Sequence, residues 1–548
     1  MRQPLLPSVV ILILLVLGSG LLTAQEWFVD PGATSSGNGS SQTPWVSLAA
    51  AVGHTSVSAG DTINLRPGIY QSQARHEIYL TKARLTLRPD PSRSGRVIID
   101  GGVLSQDLRN RDAEGKQKRI ANYGQTKRVL QITANDVTII GLEVRNGYVG
   151  IYSNAANTRI LKCHVHNMAQ SAISLSGEGA EIASCIVHDV ALYNIDGQCL
   201  AKDDPTDRDK RKKVYRDDGS MMTNSDGSPK NMDWPVAIRV NGTYPQDTKK
   251  KLSELNISRK ARVHDNLLWN AWCEGFGSYF SEDALFVNNT AFNTWRIGYY
   301  PQNADGAVLD GNLIFYRHHG FDEWANRDGI IFNNERPRDY LVSRHGTNNL
   351  LPDTSGLVLR GNIILGAKSG ISSPTWDNPK QLNTQTDKTV TIRGNLIGFL
   401  ENSASGAPTS GIHIGTHVRG ITRVEWNLLV SSRAEVSDWR SIFAAADTTR
   451  TVRIEDNNRT LSHTTEPALA DLTGLQDAVL TKAKAVENLA RDVSGPRDTG
   501  TALRELQDAV GKLRAPLVGL LRDRQSTPPN SAPRIVSTAA NPPVVTLP

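Results

Sequence analysis

Cysteine is scarce in this sequence. The chain has four cysteines in 548 residues and no CxxC pair. So few cysteines exclude a scaffold stapled by disulfides, and without CxxC pairs there is no sign of a structural zinc site. With 39% apolar and 21% charged residues, the composition is that of a globular protein. A large packed core must therefore stabilise the chain.

Long hydrophobic runs are missing beyond the N terminus. Residues 1–24 contain one arginine, an apolar run from Val9 to Leu22 and a small final residue, Ala24. This layout predicts a signal peptide cleaved after Ala24, because the run is shorter than the roughly 20 residues of a spanning helix. An uncleaved membrane anchor is the alternative. We expect a secreted, periplasmic or cell-surface protein with no transmembrane span after cleavage.

A large excess of one charge is also missing. The formal net charge is +6, which is mildly basic for this length. Such a charge favours an anionic polymer such as a polyuronate through long-range attraction, although a basic surface without functional consequence fits equally well. We expect an extracellular polysaccharide as partner and no nucleic acid.

What the sequence does contain is a repeat. Identical residues recur 22 positions apart in the pairs Ile151 and Ile173, Ile160 and Ile182, Cys163 and Cys185, and His166 and His188. Asparagines then recur 23 positions apart at Asn266, Asn289 and Asn312. Short β-branched runs broken by Asn and Gly at this period predict one coil of a parallel β-helix per repeat. Each Asn that follows a strand predicts a ladder of stacked side chains.

Both ends of the repeat region differ from its middle. Residues 26–70 predict a strand, a helix over 45–52 and a strand over 62–65, which would cover the open end of the core. After about residue 463, apolar residues fall at helical spacing at Leu503, Leu506, Val510, Leu513 and Leu517. They predict two amphipathic helices joined at 494–496, which could cap the far end, pack on the side or bind another chain.

The predicted organisation has four parts. These are a signal peptide over 1–24, a β-helix domain over 25–462, a helical segment over 463–525 and a disordered tail over 526–548, which holds six prolines. Within the β-helix, Cys163 and Cys185 lie one coil apart, at ~4.8 Å along the axis. We expect a buried stack of thiols there, because adjacent parallel strands rarely have the geometry of a disulfide.

Two long excursions interrupt the coils. The first spans 196–260 and includes a run at 202–218 that is too charged for a core strand. Its aspartates Asp203, Asp204, Asp207 and Asp209 could bind calcium, but the interleaved lysines and arginines oppose this, so we expect a solvated loop. The second excursion covers about 333–355 and begins near Glu335, which either lies over the same groove as the residues described next or is a solvated loop residue.

Aromatic and ionisable residues concentrate in 269–324. The 23-residue register predicts three columns: Trp272, Trp295 and His318; Cys273, Arg296 and His319; Glu274, Ile297 and Gly320. Together with Trp324, the two tryptophans could stack on sugar rings, or they could fill an interior aromatic stack. The candidate acid/base groups are Glu274, His318, His319, Asp322 and Glu323.

The repeat, the N-terminal segment and the spacing EGFG…NN…GN resemble secreted right-handed parallel β-helix proteins of the pectate-lyase-like superfamily, over about residues 26–460. The resemblance implies that fold, with an N-terminal helical cap, and a role on extracellular polysaccharides. The superfamily includes polysaccharide lyases, galacturonan hydrolases, alginate epimerases and tailspikes, so the fold does not determine the reaction.

Short catalytic motifs in the sequence do not identify the reaction. The hydrolase and epimerase motifs are missing from the sequence. Residues 344–346 are similar to the Arg-His-Gly of alginate and chondroitin lyases, and Lys368-Ser369 to their Lys-Ser, but the two occur in reverse order, so their roles are not transferred.

The functional hypothesis is a lyase of a uronic-acid polymer. In that reaction a base removes the proton α to the carboxyl group, and a cation neutralises the carboxylate. We assign the base to His318 or His319 and the neutralising role to Arg296. Glu274, Asp322 and Glu323 would serve as acids or as calcium ligands, and Trp272, Trp295 and Trp324 would bind substrate. A hydrolase using Glu274 with Glu323 and a non-catalytic carbohydrate-binding protein are the alternatives.

Overall fold

A computed structural model shows the strands stacked in parallel, coil upon coil. It describes residues 24–71, 78–102, 128–191, 235–242, 257–272, 274–317, 327–333, 354–373, 389–398, 410–415, 420–431, 440–444, 450–454, 458–462, 471–491, 499–525 and 534–536. Each coil has three faces, which we call A, B and C in chain order.

Each face is a ladder of strands, one from each successive coil. Face A comprises Glu26–Val29, Thr62–Leu65, Thr86–Pro89, Thr138–Ile140, Arg159–Leu161, Glu181–Ala183, Arg262–His264, Leu285–Val287, Val308–Asp310, Val358–Arg360, Val390–Arg393, Gly420–Glu425 and Arg450–Ile454. Face B comprises Gly68–Gln71, Val97–Asp100, Ile186–Val190, Leu267–Ala271, Thr290–Thr294, Leu313–Phe315, Ile363–Leu365, Leu396–Gly398, Leu428–Ser431 and Arg459–Ser462. Face C comprises Ile78–Leu80, Arg128–Ile132, Val236–Asn241, Ser258–Arg259, Glu274–Glu282, Ile297–Asp305, Asp328–Ile331, Ser369–Ser373, Ser410–Ile414 and Arg440–Ala444.

Two strands bend at the corner between faces B and C. Glu143–Ser153 and His164–Leu175 each pair on face B with their first half and on face C with their second half. The strand Arg534–Val536 pairs antiparallel with the last strand of face A. The predicted parallel β-helix is confirmed by these registers.

A short helix covers the first coils. Helix α1, Leu48–Gly53, begins after Ser47, whose hydroxyl accepts the backbone N–H of Ala50. Leu48 is buried, and the Trp45 ring stacks on Trp27 with centroids 5.0 Å apart. The predicted N-terminal helical cap is therefore confirmed.

An asparagine ladder runs through the corner between faces A and B. Its buried members are Asn266, Asn289, Asn312, Asn362, Asn395, Asn427 and Asn458. The side-chain Oδ1 of each member after the first accepts the backbone N–H of the preceding rung at 2.9–3.1 Å. Each Nδ2 donates to a face A carbonyl of the coil before, at 2.8–3.0 Å. The predicted ladder is confirmed, and it satisfies the backbone groups that a buried turn would otherwise leave without partners.

Replacing a central rung is expected to destabilise the stack. Asn289→Ala removes the acceptor of the Asn266 N–H and the donor to the Val263 carbonyl, both in a fully buried turn. Leaving such groups unsatisfied costs about 3 kcal/mol in the free energy of unfolding. Denaturant unfolding measures this loss, and Asn154→Ala, at an exposed position, is the control. Equal stability of the two variants would contradict a supporting role for the ladder.

The structure tests the predicted buried thiols and the predicted 23-residue period. Cys163 and Cys185 are buried and free, as predicted. Successive rungs from Asn266 onward lie 23, 23, 50, 33, 32 and 31 residues apart, so the 23-residue period ends at Asn312.

Two C-terminal helices pack along the outer side of face B. Helix α2, Leu472–Arg491, and helix α3, Thr499–Gln525, contact each other and cover an apolar strip of the coils. The strip consists of Ile186, Leu267, Trp269, Phe292, Leu313, Phe315, Ile363, Leu365, Leu396, Leu428 and Val430. Of the placements that the sequence leaves open, the structure shows packing on the side. The described residues form three helices, α1, α2 and α3. None of these three is long and apolar enough to cross a bilayer.

Polar contacts fix the helices in position. Arg317 forms a bidentate pair with Asp477 at 2.6 and 2.9 Å. The indole N–H of Trp269 donates to Glu487 at 3.0 Å. Arg514 donates to the Gly311 carbonyl at 2.8 Å. Arg514 also donates to the Asn289 carbonyl at 3.0 Å. Since the bonds to Trp269, Asn289 and Gly311 reach three successive coils, the helices join coils that otherwise meet only their neighbours.

Candidate functional site

The outer surface of face C carries one of the predicted site residues, Glu274. Its side chain is 2% exposed and accepts a hydrogen bond from the hydroxyl of Tyr279. The Tyr279 ring meets Tyr300 edge-on, with centroids 5.9 Å apart. Gly277 leaves room for this ring, because a Cβ there would lie 2.7 Å from Tyr279. A tyrosine thus holds the carboxylate in a fixed position.

Asp328 lies two coils from Glu274 in the same column. The register pairs Glu274 with Ile297 and Ile297 with Asp328. The sequence expectation that Gly320 follows Ile297 is therefore wrong. The step from Ile297 to its partner is longer than 23 residues, so the period does not extend into this coil.

A column of cations runs beside these carboxylates. Backbone bonds from Asp328 N to the Arg296 carbonyl, 2.7 Å, and from Lys368 N to the Arg327 carbonyl, 2.6 Å, set Arg296, Arg327 and Lys368 in successive coils. All three side chains are half-buried. By the same register, Arg327 rather than His319 follows Arg296. We call Glu274, Tyr279, Arg296, Asp328 and Lys368 the face C site.

Burial and the neighbouring cations have opposite effects on the pKa of the Asp328 carboxyl. Burial raises the pKa of its carboxyl, while the charges of Arg296 and Lys368 lower it, and the net result is a pKa of about 7. A carboxyl with that pKa is divided between its acid and base forms at neutral pH, which is the property of a general acid or base. Burial also lowers the pKa of Arg327.

This shift predicts how stability depends on pH. The pKa of Asp328 rises from 3.8 to about 7 on folding, so between these values the native state binds more protons than the unfolded state. The contribution of Asp328 is fully present below pH 3.8 and is lost as the pH rises through about 7. We expect Asp328→Asn to gain stability relative to the wild type at pH 8 and to lose this advantage at pH 5, as measured by thermal unfolding. The same difference at both pH values would contradict the shift.

Two of the three tryptophans predicted to bind substrate lie inside the β-helix. Trp272 and Trp295 are 3% and 7% exposed, belong to the main core cluster and stack with centroids 4.5 Å apart. This is the interior arrangement that the sequence left open as an alternative, and their role in substrate binding stays a prediction.

The other candidates lie outside the described residues. These are His318, His319, Asp322, Glu323, Trp324 and Glu335, together with 344–346, the signal segment and the charged run 202–218 with its four aspartates. Of the predicted calcium ligands, Glu274 alone lies within the described part of the chain, and calcium binding stays a prediction.

A second polar cluster lies on the outer side of face B. It consists of Arg96, Asp100, Glu143, Arg145, His164, His166, His188 and Asp189, and we call it the face B histidine cluster. Arg96 binds both oxygens of Glu143, at 2.6 and 2.9 Å, and His166 Nε2 lies 3.2 Å from Glu143 Oε1. The Nε2 atoms of His164 and His188 are 2.9 Å apart. Glu143 and all three histidines are at most 7% exposed.

The histidine rings continue a column of aromatic rings. His166 stacks on His188 at 4.9 Å, and His188 stacks on Trp269 at 4.6 Å. Burial and neighbouring histidines lower the pKa of His164, and burial lowers the pKa of His166 against the opposing effect of Glu143. Burial alone would raise the pKa of Glu143, but His166, His164 and Arg96 together lower it. His164 and His166 are therefore neutral, and Glu143 is ionised, at neutral pH.

Sequence reasoning found the 22-residue spacing of His166 and His188 but not this cluster. Glu143 and Arg145 lie 21 residues before His164 and His166, one fewer than the 22-residue period, and Arg96 comes from an earlier coil. The remaining signal was the pair His164 and His166, which places two histidines on the same side of one strand.

Comparisons with known proteins concern the fold. No family model matches the chain, and no curated protein matches it either. The chain is similar in structure to pectate lyase Pel9A, with 15% identity, a TM-score of 0.34 and coverage of 69% of this chain and 77% of that one. It is also similar to a rhamnogalacturonan lyase, with 14% identity, a TM-score of 0.38 and coverage of 79% and 87%. A third is PfbA, a surface adhesin of Streptococcus pneumoniae, with 13% identity, a TM-score of 0.39 and coverage of 76% and 85%.

Proposed function

We propose that this chain is a secreted protein that acts on an anionic polysaccharide, as a lyase of a uronic-acid polymer, at the face C site. The observation that carries the proposal is the half-buried carboxyl of Asp328, with a pKa of about 7, between the charges of Arg296 and Lys368. A base that is half ionised at neutral pH and two cations beside it are what β-elimination from a uronate requires.

The proposed reaction uses these groups in one step. The Asp328 carboxylate removes the proton α to the carboxyl group of the bound uronate. The electron pair forms a carbon–carbon double bond, the glycosidic C–O bond breaks, and the leaving oxygen takes a proton from water. Arg296 and Lys368 neutralise the substrate carboxylate, so that negative charge can develop beside it. Asp328 replaces His318 and His319 as the proposed base, and Arg296 keeps its predicted role.

The cation column also suggests how the polymer lies. Arg296, Arg327 and Lys368 follow one another at ~4.8 Å per coil, so a polyanion running parallel to the axis meets a cation at each coil. Tyr279 is half-buried beside this column and can contact a sugar ring.

One observation favours a hydrolase as second candidate. Glu274 and Asp328 are two coils apart in one column, which is ~9.6 Å between backbones. Inverting glycoside hydrolases hold their two carboxyl groups roughly 6.5–9.5 Å apart, with the acid partner raised in pKa. In that mechanism Asp328 would be the acid and Glu274 the base.

Product analysis and pH dependence distinguish the candidates. We expect polyuronates to give products with the ultraviolet absorbance of a double bond conjugated to a carboxylate, and kcat/KM to rise with pH through about 7, since the base form of Asp328 is active. Reducing ends without that absorbance, and a rate that falls over the same pH range, would establish the hydrolase instead. Binding without turnover on anionic or neutral polysaccharides would leave a non-catalytic carbohydrate-binding protein.

A further inference from the structure

We propose that the face B histidine cluster binds a divalent transition metal such as Zn²⁺, with Glu143, His164 and His166 as its protein ligands. The proposal is independent of the face C site, because it concerns other coils and another face. The donor atoms of these three residues lie close together. One carboxylate oxygen and one ring nitrogen from each histidine all lie within 4.8 Å of one another.

The spacing suits a small ion. Ligand atoms on a tetrahedral Zn²⁺ with bonds of about 2.0–2.1 Å lie roughly 3.3 Å apart. Glu143 Oε1 and His166 Nε2 are 3.2 Å apart, close to that value. His188 Nε2 lies 2.9 Å from His164 Nε2 at the border of the site, whose mutually close donor atoms belong to Glu143, His164 and His166.

The hydrogen bonds also suit a metal. Within the part of the chain that the structure describes, the Nδ1 atoms of His164 and His166 are buried without a hydrogen-bond partner. A ring nitrogen buried without a partner is costly, and the ion would offset that cost at a ring that it binds through Nδ1. Arg96 holds both oxygens of Glu143, as groups behind a ligating carboxylate commonly do.

The surrounding charge permits a cation. Asp100 forms an ion pair with Arg145, with 2.8 Å between Oδ2 and Nε, and Oδ2 of Asp189 lies 3.2 Å from Nδ1 of His188. The cluster contains three carboxylates and two guanidinium groups. Imidazole ligands favour zinc, cobalt or nickel over calcium, which prefers oxygen ligands.

The position indicates what the ion would do. Glu143 and His164 pair across adjacent strands, and His166 pairs with His188 of the next coil. An ion held there would link consecutive coils through coordination bonds. The site lies next to the point where the apolar strip under the C-terminal helices begins. Its role would be structural, because all the donors are buried.

The test uses the untagged full chain loaded with Co²⁺ or Zn²⁺ and then dialysed. We expect one metal ion per chain by elemental analysis, the visible absorption of four-coordinate Co²⁺, and a higher melting temperature with Zn²⁺ than with Ca²⁺. Glu143→Gln and His166→Ala should lose the ion, while His264→Ala, a histidine between Glu181 and Asp265 elsewhere on the stack, should keep it. Circular dichroism confirms that each variant is folded. No bound ion in the wild type, or equal retention by Glu143→Gln, would overturn the proposal, and neither result depends on polysaccharide turnover.

Discussion

Truncation after residue 462 is expected to leave a chain that aggregates instead of a smaller folded protein. Eleven apolar residues of face B lie under the C-terminal helices, among them Trp269, Phe292 and Phe315. Exposing them forfeits on the order of 10 kcal/mol of hydrophobic stabilisation. It also creates a long apolar patch on the outer surface of face B, and exposed patches of that size promote association between chains. Sedimentation and thermal unfolding of the truncated protein measure both effects.

A point variant separates packing from the loss of chain. Leu513 is fully buried in helix α3, whereas its neighbour Lys512 is exposed. Leu513→Asp buries a charge against the strip and should lower the melting temperature strongly, while Lys512→Asp should change it little. Similar melting curves for both variants, with a soluble truncated chain, would mean that the helices contribute little to the stability of the coils.

Asp328→Asn is expected to reduce turnover of a uronic-acid polymer by about 10²–10⁴-fold, the usual contribution of a general base. The amide retains the size of the side chain but cannot accept the proton. Since Arg296 and Lys368 remain, binding of the polymer should persist, so the loss should fall on kcat rather than on KM.

The control for this variant is another aspartate at the end of a strand. Asp310 on face A pairs with Arg360 at 2.7 Å, away from the face C site. Asp310→Asn should keep full activity. If Asp328→Asn were as active as Asp310→Asn, or if both lost activity together, Asp328 would not be the base.

The sequence predicted the stack well because its signals are local to each coil. Asn266, Asn289 and Asn312 occupy the same turn in three coils of equal length, so their spacing gives the register directly. The short helix near Trp45 and the strand Thr62–Leu65 were predicted from residues adjacent in the chain. Helix α3 was predicted because one side of it repeats at helical spacing.

The candidate sites were harder to predict, for two physical reasons. First, Asp328 follows a longer coil, so the extrapolated period placed Gly320 where the structure has Asp328. Second, Trp272 and Trp295 lie at the corner between faces B and C, where the chain turns and the alternation of inward and outward side chains is interrupted. The repeat period shows which residues are neighbours in successive coils. At a corner it does not show whether a side chain points into the core or towards the outside.

The asparagine ladder has a consequence for how such a protein can diversify. Asn312 and Asn362 are adjacent rungs although 50 residues separate them, and their bonds are as short as those between rungs 23 residues apart. Chain length between rungs is therefore decoupled from the pitch of the stack. Insertions at such points can add new surface chemistry while the neighbouring coils keep their positions, which makes the interval between Asn312 and Asn362 a natural place to graft a foreign loop.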